Sequence, residues 1–359
     1  MLSRFKACLV GAVVGDCIGS NFEGLLAVKL SDVVNSVLKL EECNQQAQEK
    51  EEAGPSPKYF YTDDTAMARS VAASLLDKKH FDARDMADRF ATEYFNDPDR
   101  GYGGSVVTVF ENLKDPDLID VFRPASMQFG GRGSFGNGGA MRIAPAALFA
   151  FHDNDLAKLK VLVSSITRIT HTHHLAINGA ILQAFAVDQS LRQQQQPVDA
   201  DEFIDSLISK MKPVEEESSA GKTPADNTRE KKDGHPTPYC YKLLKIKELL
   251  KNRDLHVEDV VNELGNDVSA FGSVPAAVFS FLKAATQNIP ELNGRNKFEQ
   301  TVLYAIGLGG DTDTIATMAA AIAGALYGME QIPKAWQIYC EGVEDAERAA
   351  EELFKLGSL

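Results

Sequence analysis

Two short segments place aspartates and threonines at the start of an apolar stretch. Residues 62–65 are TDDT and precede AMARSVAASLL, and residues 311–314 are DTDT and precede IATMAAAIAGALYG. One Asp or Thr there would be an ordinary helix cap, since its side-chain oxygen accepts a bond from a free backbone N–H. A cap uses one side chain, however, whereas each segment offers three. The repetition favours a shared metal ion over two independent capping turns.

The side-chain oxygens of these segments suit a hard divalent cation. Mg²⁺ and Ca²⁺ take oxygen ligands, chiefly carboxylates, hydroxyls and water. Short side chains at a helix start can converge on one point, which longer side chains scattered along a helix cannot. The candidate metal ligands are Thr62, Asp63, Asp64, Asp311, Asp313 and Thr314.

A glycine-rich segment, QFGGRGSFGNGG at 128–139, precedes another apolar stretch. Gly131, Gly133 and Gly136 formally match GxGxxG, but no strand precedes them and this segment lacks GK[ST], so neither a dinucleotide fold nor a Walker loop is indicated here. Glycines still allow close backbone approach, and N–H groups at a helix start favour phosphate. We predict a loop that binds an anion or diphosphate, in which either phenylalanine could stack on a base or sugar. A flexible surface turn is the alternative.

Three histidines lie together in THTHH, at positions 171, 173 and 174. Zinc sites need partners at spacings such as HExxH or CxxC, and the sequence contains neither. We expect an exposed loop at a helix start for at least two of the three. A GxSxG nucleophile elbow is also missing from the sequence.

Composition and charge exclude several classes of function. The 359 residues are 44% hydrophobic and 25% charged, as in ordinary globular proteins, and the net charge of −14 argues against a general affinity for nucleic-acid backbones. Five scattered cysteines without a CxxC pair favour a reducing, intracellular compartment. The apolar N-terminal stretch superficially resembles a signal peptide, but Asp16 interrupts it and its apolar residues recur at helical spacing. No stretch approaches the ~20 apolar residues of a membrane span.

The elements that must position these residues are predicted to be helices. Apolar residues recur at three- and four-residue spacing, whereas alternating runs are scarce. The clearest helical segments are 82–95, 155–169, 175–191, 241–253, 275–287 and 297–310. We predict an all-α fold, a compact orthogonal bundle of about a dozen or more helices with a binuclear metal cleft. Residues 1–359 are predicted to form a single domain with flexible polar loops at 44–58 and 213–236, although the length permits two domains.

Five segments, in chain order, resemble the ADP-ribosylglycohydrolase family. They are FKACLVGAVVGDCIGSNFEG, YTDDTAMA, GSFGNGGAMRIAP, ITHTHHLAINGA and GGDTDTIATMAAAIAGALYG. The resemblance runs from about Leu2 to the C-terminal helix, and it implies the all-helical fold of a family that includes dinitrogenase-reductase-activating glycohydrolases. The segments NFEG, DPDRGYGGSVVTVF and ELGNDVSAFGSVPAA are similar to a vertebrate branch that is specific for serine-linked ADP-ribose.

The resemblance also implies roles for individual residues. Two Mg²⁺ ions would be held by the six candidate ligands, with Glu23 approaching both ions. Glu23 and Asp63 would be the catalytic residues. Whether Glu23 acts as an acid, a base or a movable metal ligand stays open. The implied contacts of ADP-ribose are Asp63, Gly101, Gly103, Phe129, Arg132, Gly133, Ser134, Phe135, Gly136, Asn137, Gly138, His171 and Val268. Phe135 stands where relatives carry Tyr, which would keep stacking and lose a hydroxyl.

The implied activity is that of a Mg²⁺-dependent glycosidase. It would remove ADP-ribose from serine-linked ADP-ribosylated proteins and also hydrolyse poly(ADP-ribose) and O-acetyl-ADP-ribose. Its partners would be these modified proteins, poly(ADP-ribose) and ADP-ribose, without sequence-specific nucleic acid or membrane binding. The resemblance further implies an intracellular monomer of the DNA damage response, in the nucleus, the cytoplasm and the mitochondrial matrix. An arginine-specific ADP-ribosylhydrolase, a metal-dependent phosphohydrolase and a non-catalytic ADP-ribose binder stay open as alternatives.

Overall fold

A computed structural model describes residues 1–49, 59–194, 197–219 and 235–357. Within these ranges every regular element is helical, with eighteen α-helices, four short 3-10 helices and only isolated β-bridges. None of the helices in these ranges combines the length and the apolarity that crossing a bilayer requires. The predicted all-α fold is confirmed.

The helix bounds follow the chain order. The α-helices are α1 (Leu2–Gly19), α2 (Leu30–Glu49), α3 (Asp63–Lys78), α4 (Ala83–Asn96), α5 (Gly104–Leu113), α6 (Arg123–Gly131), α7 (Gly138–Met141), α8 (Ala144–Ala150), α9 (Leu156–Arg168), α10 (His174–Arg192), α11 (Ala200–Ser219), α12 (Pro238–Lys251), α13 (Val257–Leu264), α14 (Ala270–Thr286), α15 (Lys297–Gly307), α16 (Thr312–Tyr327), α17 (Lys334–Tyr339) and α18 (Val343–Leu356). The 3-10 helices are Ser20–Phe22, Phe151–Asp153, Pro290–Leu292 and Met329–Gln331.

Helix α16 lies in the centre of the core. Every residue from Thr312 to Leu326 is buried, and the helix packs against α1, α10, α14 and α15. A helix that is apolar on all sides is expected to be surrounded by protein. The apolar stretch after DTDT therefore anchors the acidic helix start rigidly within the core.

Glycines bring α1 and α16 into backbone contact. Gly11, Gly15 and Gly19 recur every four residues on α1 and face α16. A Cβ on Gly15 would lie 2.5 Å from the carbonyl oxygen of Ala316, and one on Gly19 would lie 2.6 Å from the Cα of Asp313. Only residues without a side chain permit this approach. It places the C-terminal end of α1 directly beside the acidic start of α16.

The loop predicted at 213–236 is wrong over its first seven residues, because α11 continues through Ser219. Its polar composition hides a structural role of Glu215, which is buried. The Glu215 carboxylate accepts bonds from the backbone N–H groups of Tyr239 at 2.7 Å and Cys240 at 2.9 Å. It thereby satisfies free N–H groups at the start of α12. Residues 220–234 lie outside the described residues.

The loop predicted at 44–58 is also wrong at its start, because α2 continues through Glu49. The residues concerned are mainly Gln, Glu and Ala, which are good helix formers although they bury little surface. Residues 50–58 lie outside the described part of the chain. That residues 1–359 form a single domain stays a prediction.

Candidate active site

Asp16, a fully buried carboxylate near the end of α1, holds the TDDT segment in place. Its Oδ1 accepts bonds from the backbone N–H of Thr62 at 3.0 Å and from the Thr62 hydroxyl at 2.8 Å. Its Oδ2 accepts bonds from the backbone N–H of Thr65 at 3.0 Å and from the Thr65 hydroxyl at 2.6 Å. Burial raises the pKa of Asp16 to about 6, against the opposing effect of these bonds. Asp16 therefore fixes the start of α3 relative to α1.

In the sequence, Asp16 stands out only as an interruption of an apolar run. The signal that could have identified it was the same feature, a single acid inside an otherwise apolar helix. Such a carboxylate needs hydrogen-bond partners when it is buried, and the N–H groups of a helix start supply them. Asp16 is the principal residue of the site that the sequence analysis missed.

The TDDT and DTDT segments are hydrogen-bonded to each other. The hydroxyl of Thr314 donates to Asp64 Oδ2 at 3.1 Å, and the hydroxyl oxygen of Thr62, whose hydrogen is directed to Asp16, lies 3.4 Å from the same oxygen. The other oxygen of Asp64, Oδ1, is buried and has no hydrogen-bond partner among the residues that the structure describes. A buried carboxylate oxygen without a partner is costly unless a cation binds it.

Three acidic side chains converge at the same place. Single carboxylate oxygens of Glu23, Asp311 and Asp313 all lie within 4.8 Å of one another. Burial and then the charge of Asp311 raise the pKa of both Glu23 and Asp313, the latter well above its usual range. Burial, with Asp16 as the next cause, raises the pKa of Asp63 to about 8. These crowded oxygens and the unpartnered Asp64 oxygen fit a divalent cation, which would relieve the repulsion.

Glu23 reaches this cluster from the exposed segment that follows α1. The backbone N–H of Gly24 donates to the carbonyl of Gly310 at 2.9 Å, and the N–H of Gly310 donates to the carbonyl of Leu25 at 2.9 Å. Gly310 has a φ of 73°, which glycine adopts without strain. These two bonds hold the Glu23 segment against the residues that precede DTDT.

The segment that contains Gly101 is held against Asp63. The backbone N–H of Asp63 donates to the carbonyl of Arg100 at 2.7 Å. The Arg100 guanidinium donates to both oxygens of Glu341, at 2.6 and 3.0 Å, and lies over the ring of Tyr61. A Cβ on Gly101 would lie 3.9 Å from Asp63 Oδ1, so Gly101 borders the acidic cluster. Neither Arg100 nor Glu341 was identified in the sequence analysis.

Asn137 joins the glycine-rich segment to the acidic cluster. Its side-chain amide donates to Asp311 Oδ2 at 2.6 Å and to the hydroxyl of Ser273 at 3.0 Å. Its backbone N–H donates to the carbonyl of Val268 at 3.0 Å, which places the exposed Val268 beside the segment. One hydrogen bond thus connects the acidic cluster directly to the predicted phosphate loop.

Neighbouring residues of the loop are held by the start of α14 and by each other. The carbonyl of Phe135 accepts a bond from the N–H of Ala270 at 3.0 Å, and the hydroxyl of Ser134 accepts one from the N–H of Gly136 at 3.2 Å. A Cβ on Gly138 would lie 2.7 Å from the buried ring of His171. The loop therefore rests on His171.

The remaining predicted contacts lie outside this hydrogen-bonded network. Phe129 is half exposed and has a φ of 51°, which is unusual for a residue with a side chain and is typical of functional segments. Arg132 is exposed, and its Nε donates to the carbonyl of Phe129 at 3.1 Å. Gly103 precedes α5, with open space where a side chain would stand. The exposed rings of Phe129 and Phe135 are free to stack on a planar ligand.

Gly133 provides a first test of the loop. Its φ is 73°, and a Cβ there would collide with the hydroxyl of Thr172 and lie 2.9 Å from the backbone nitrogen of His173. Gly133→Val should therefore displace the loop and weaken ADP-ribose binding at least about tenfold, while Mg²⁺ affinity stays the same. Calorimetry measures both affinities. Gly294→Val is the control, since Gly294 has a φ of 89° and open space around it. If Gly133→Val bound ADP-ribose with the same affinity as the parent protein, the loop would be a structural turn and not a ligand-binding loop.

The structure places an acidic cluster that could hold a metal ion beside a glycine-rich loop in an all-α core. A family model described as ADP-ribosylglycohydrolase matches residues 1–359. The chain belongs to the ADP-ribosylglycohydrolase family, which confirms the resemblance seen in the sequence. Membership of this family supports glycohydrolase activity.

Two relatives and one solved structure are similar over nearly the whole chain. ADP-ribosylhydrolase ARH3 of Homo sapiens is 44% identical over 357 residues, which cover 99% of this chain and 94% of the relative. The protein of the same name from Danio rerio is 45% identical over 359 residues, which cover 99% and 91%. A solved structure described as an ADP-ribosylglycohydrolase-related protein complex has a TM-score of 0.61 at 22% identity and covers 99% and 98% of the two chains. The solved structure supports the fold alone.

Proposed function

We propose that this protein is a Mg²⁺-dependent hydrolase that releases ADP-ribose from serine residues of modified proteins. Poly(ADP-ribose) and O-acetyl-ADP-ribose would be further substrates, because each carries ADP-ribose on an oxygen through the anomeric carbon. The observation that carries the proposal is the hydrogen bond from Asn137 to Asp311, which joins the acidic cluster to the glycine loop. A ligand with a diphosphate in the loop would therefore present its terminal ribose to the carboxylates.

The proposed cation site would hold two Mg²⁺ ions. The unpartnered Oδ1 of Asp64 and the cluster of Glu23, Asp311 and Asp313 support it. Thr62, Asp63 and Thr314 would complete the ligand set. Bound Mg²⁺ would supply a Lewis acid that holds the ribose diol and lowers the pKa of an attacking water.

The loop residues would bind the rest of ADP-ribose. Backbone N–H groups between Arg132 and Gly138 would contact the diphosphate, since glycines let the backbone approach it closely. The exposed rings of Phe129 and Phe135 would stack on the sugar or the base, with Val268 at the adenine end. His171, Gly101 and Gly103 would line the cleft.

Glu23 and Asp63 are the proposed catalytic carboxylates. Cleavage of a glycosidic bond passes through an oxocarbenium-like state and is usually assisted by one acid and one base. Glu23 stands at the exposed edge of the cluster and can exchange a proton with solvent or a leaving oxygen. Asp63 is held beside Gly101 by its bond to Arg100, so its position relative to the ribose would be fixed.

Replacing Glu23 with Gln tests this assignment. The variant keeps the size of the side chain and one metal-capable oxygen, so ADP-ribose should bind with affinity within about twofold of the parent. Turnover of serine-linked ADP-ribose should fall about a hundredfold or more, because the acid–base group is lost. Single-turnover kinetics and calorimetry measure the two effects, with the exposed Glu352→Gln as control. Near-normal turnover by Glu23→Gln would show that Glu23 is not the catalytic acid–base group and would leave Asp63 as the candidate.

A comparison of substrates tests the function itself. Serine-linked and arginine-linked ADP-ribosyl peptides are incubated with the enzyme, with Mg²⁺ or with a chelator, and the released products are identified by mass spectrometry. We expect intact ADP-ribose from the serine-linked peptide in Mg²⁺ only. Cleavage of the arginine-linked peptide alone would indicate the arginine-specific alternative, and release of phosphate would indicate a phosphohydrolase. Binding without any product would indicate a non-catalytic reader.

A further inference from the structure

A buried arginine lies behind the glycine loop. Arg142 is 1% exposed, and no carboxylate forms an ion pair with it in the part of the chain that the structure describes. Its guanidinium donates to the carbonyl of Gly138 at 2.6 Å and to the hydroxyl of Thr170 at 2.6 Å, and it packs over the ring of Phe90. Burial lowers the pKa of Arg142 to about 9, so it remains a cation at neutral pH. An arginine has only donors to offer.

The hydroxyl of Thr170 connects this cation to His171. Its Oγ1 lies 2.7 Å from the Nδ1 of His171. Because Oγ1 already accepts a hydrogen bond from Arg142, its own hydrogen can point to Nδ1. If Nδ1 carried the proton instead, Oγ1 would accept two bonds and its buried hydrogen would lack a partner, which is unfavourable. The arrangement that gives the Thr170 hydrogen a partner therefore leaves Nδ1 unprotonated.

The imidazole of His171 is neutral in this setting. Burial, followed by the charge of Arg142, lowers its pKa to about 3. A neutral imidazole with an unprotonated Nδ1 carries its hydrogen on Nε2. Nε2 lies against the loop, since Cβ atoms on Gly136 and Gly138 would stand 3.3 and 3.1 Å from it. Because both positions are glycine, no side chain from them contacts Nε2.

We propose that Arg142 and Thr170 are positioning residues that hold His171 as the Nε2–H tautomer, so that His171 donates a hydrogen bond to an oxygen of ADP-ribose. This inference rests on the proposed ligand of the glycine loop. The acceptor is a diphosphate or ribose oxygen. Arg142 can only donate to Thr170 Oγ1, so the Thr170 hydroxyl donates to Nδ1 of His171. The hydrogen of the His171 ring then stays on Nε2, where it can be donated to the ligand.

The test is ¹⁵N–¹H correlation of the histidine rings in the full chain without ligand. The chain has seven histidines, so the His171 signal is the one that disappears in His171→Gln. We expect a neutral ring with its hydrogen on Nε2 in the parent and in Thr170→Ser, which keeps the hydroxyl. Thr170→Val removes it, so Nδ1–H should become populated. A parent ring protonated on Nδ1, or on both nitrogens, would overturn the proposal even if the valine variant failed to fold.

Calorimetry with ADP-ribose supplies the second measurement. Thr170→Val should weaken binding about tenfold, as expected for loss of one hydrogen bond to a charged ligand, and Thr170→Ser should restore it. A valine variant that keeps the parent tautomer or the parent affinity would overturn the proposal. A parent protein that does not bind ADP-ribose would instead contradict the proposed function, and the tautomer measured without ligand would still decide the role of Thr170.

Discussion

Replacing Asp313 with Ala is expected to lower the hydrolysis of serine-linked ADP-ribose about a thousandfold. Asp313 belongs to the cluster in which three carboxylate oxygens lie within 4.8 Å. A catalytic metal contributes several kcal/mol of transition-state stabilisation, and each 1.36 kcal/mol is a factor of about ten in rate. The variant should bind one Mg²⁺ ion where the parent binds two. Steady-state kinetics and calorimetric titration with Mg²⁺ measure these changes.

The same variant should keep its fold. Folding raises the pKa of Asp313 through burial and the nearby charge of Asp311, so its charged form is disfavoured in the native state. Removing that charge should leave the melting temperature without Mg²⁺ unchanged or higher, and the stabilisation that Mg²⁺ provides should shrink. The exposed Asp117→Ala is the matched control and should change neither property. Undiminished hydrolysis by Asp313→Ala in chelator would contradict the account.

Replacing Gly15 with Ala is expected to destabilise the protein by about 3 kcal/mol or more. A Cβ at this position would lie 2.5 Å from the carbonyl oxygen and 2.6 Å from the carbonyl carbon of Ala316, so α1 and α16 must separate. Alanine in an exposed helix would instead be favourable, because glycine has the lower helix propensity. Separation would also move Asp16 away from the N–H groups of Thr62 and Thr65.

Urea unfolding monitored by circular dichroism measures the change in the free energy of unfolding. Gly104→Ala is the control, because Gly104 also lies in a helix and has open space around its Cα. That variant should be neutral or slightly stabilised. A Gly15→Ala protein with the parent's free energy of unfolding would show that the two backbones are not in contact.

The predictions made from sequence succeed where the signal is local. The helical spacing of apolar residues identifies the all-α fold, and the TDDT and DTDT motifs identify two acidic helix starts that the structure brings into hydrogen-bonding contact. The prediction of a loop at 213–236 was partly wrong, because composition alone cannot show that Glu215 is buried and accepts bonds at the start of another helix. Local sequence patterns therefore predict helices more reliably than they predict which residues surround a given side chain.

The supporting residues of the site could not be identified in this way. Asp16 bonds to a residue 46 positions later, and Arg100 bonds to one 241 positions later. The contact from Arg142 to Thr170 spans 28 positions. Such contacts depend on how helices pack, and a single sequence contains no repeating pattern that signals them. A single sequence can therefore suggest candidate ligand-binding groups, but it does not indicate the groups that hold them in place.

We propose above all that metal ions bind between the starts of α3 and α16. Anomalous diffraction from crystals grown with Mn²⁺ in place of Mg²⁺, together with ADP-ribose, tests it most directly. We predict two Mn²⁺ peaks bounded by Asp63, Asp64, Asp311 and Asp313, with the diphosphate of ADP-ribose in the glycine loop. Crystals that bind ADP-ribose in this loop but have no Mn²⁺ peak between the two helix starts would contradict the claim.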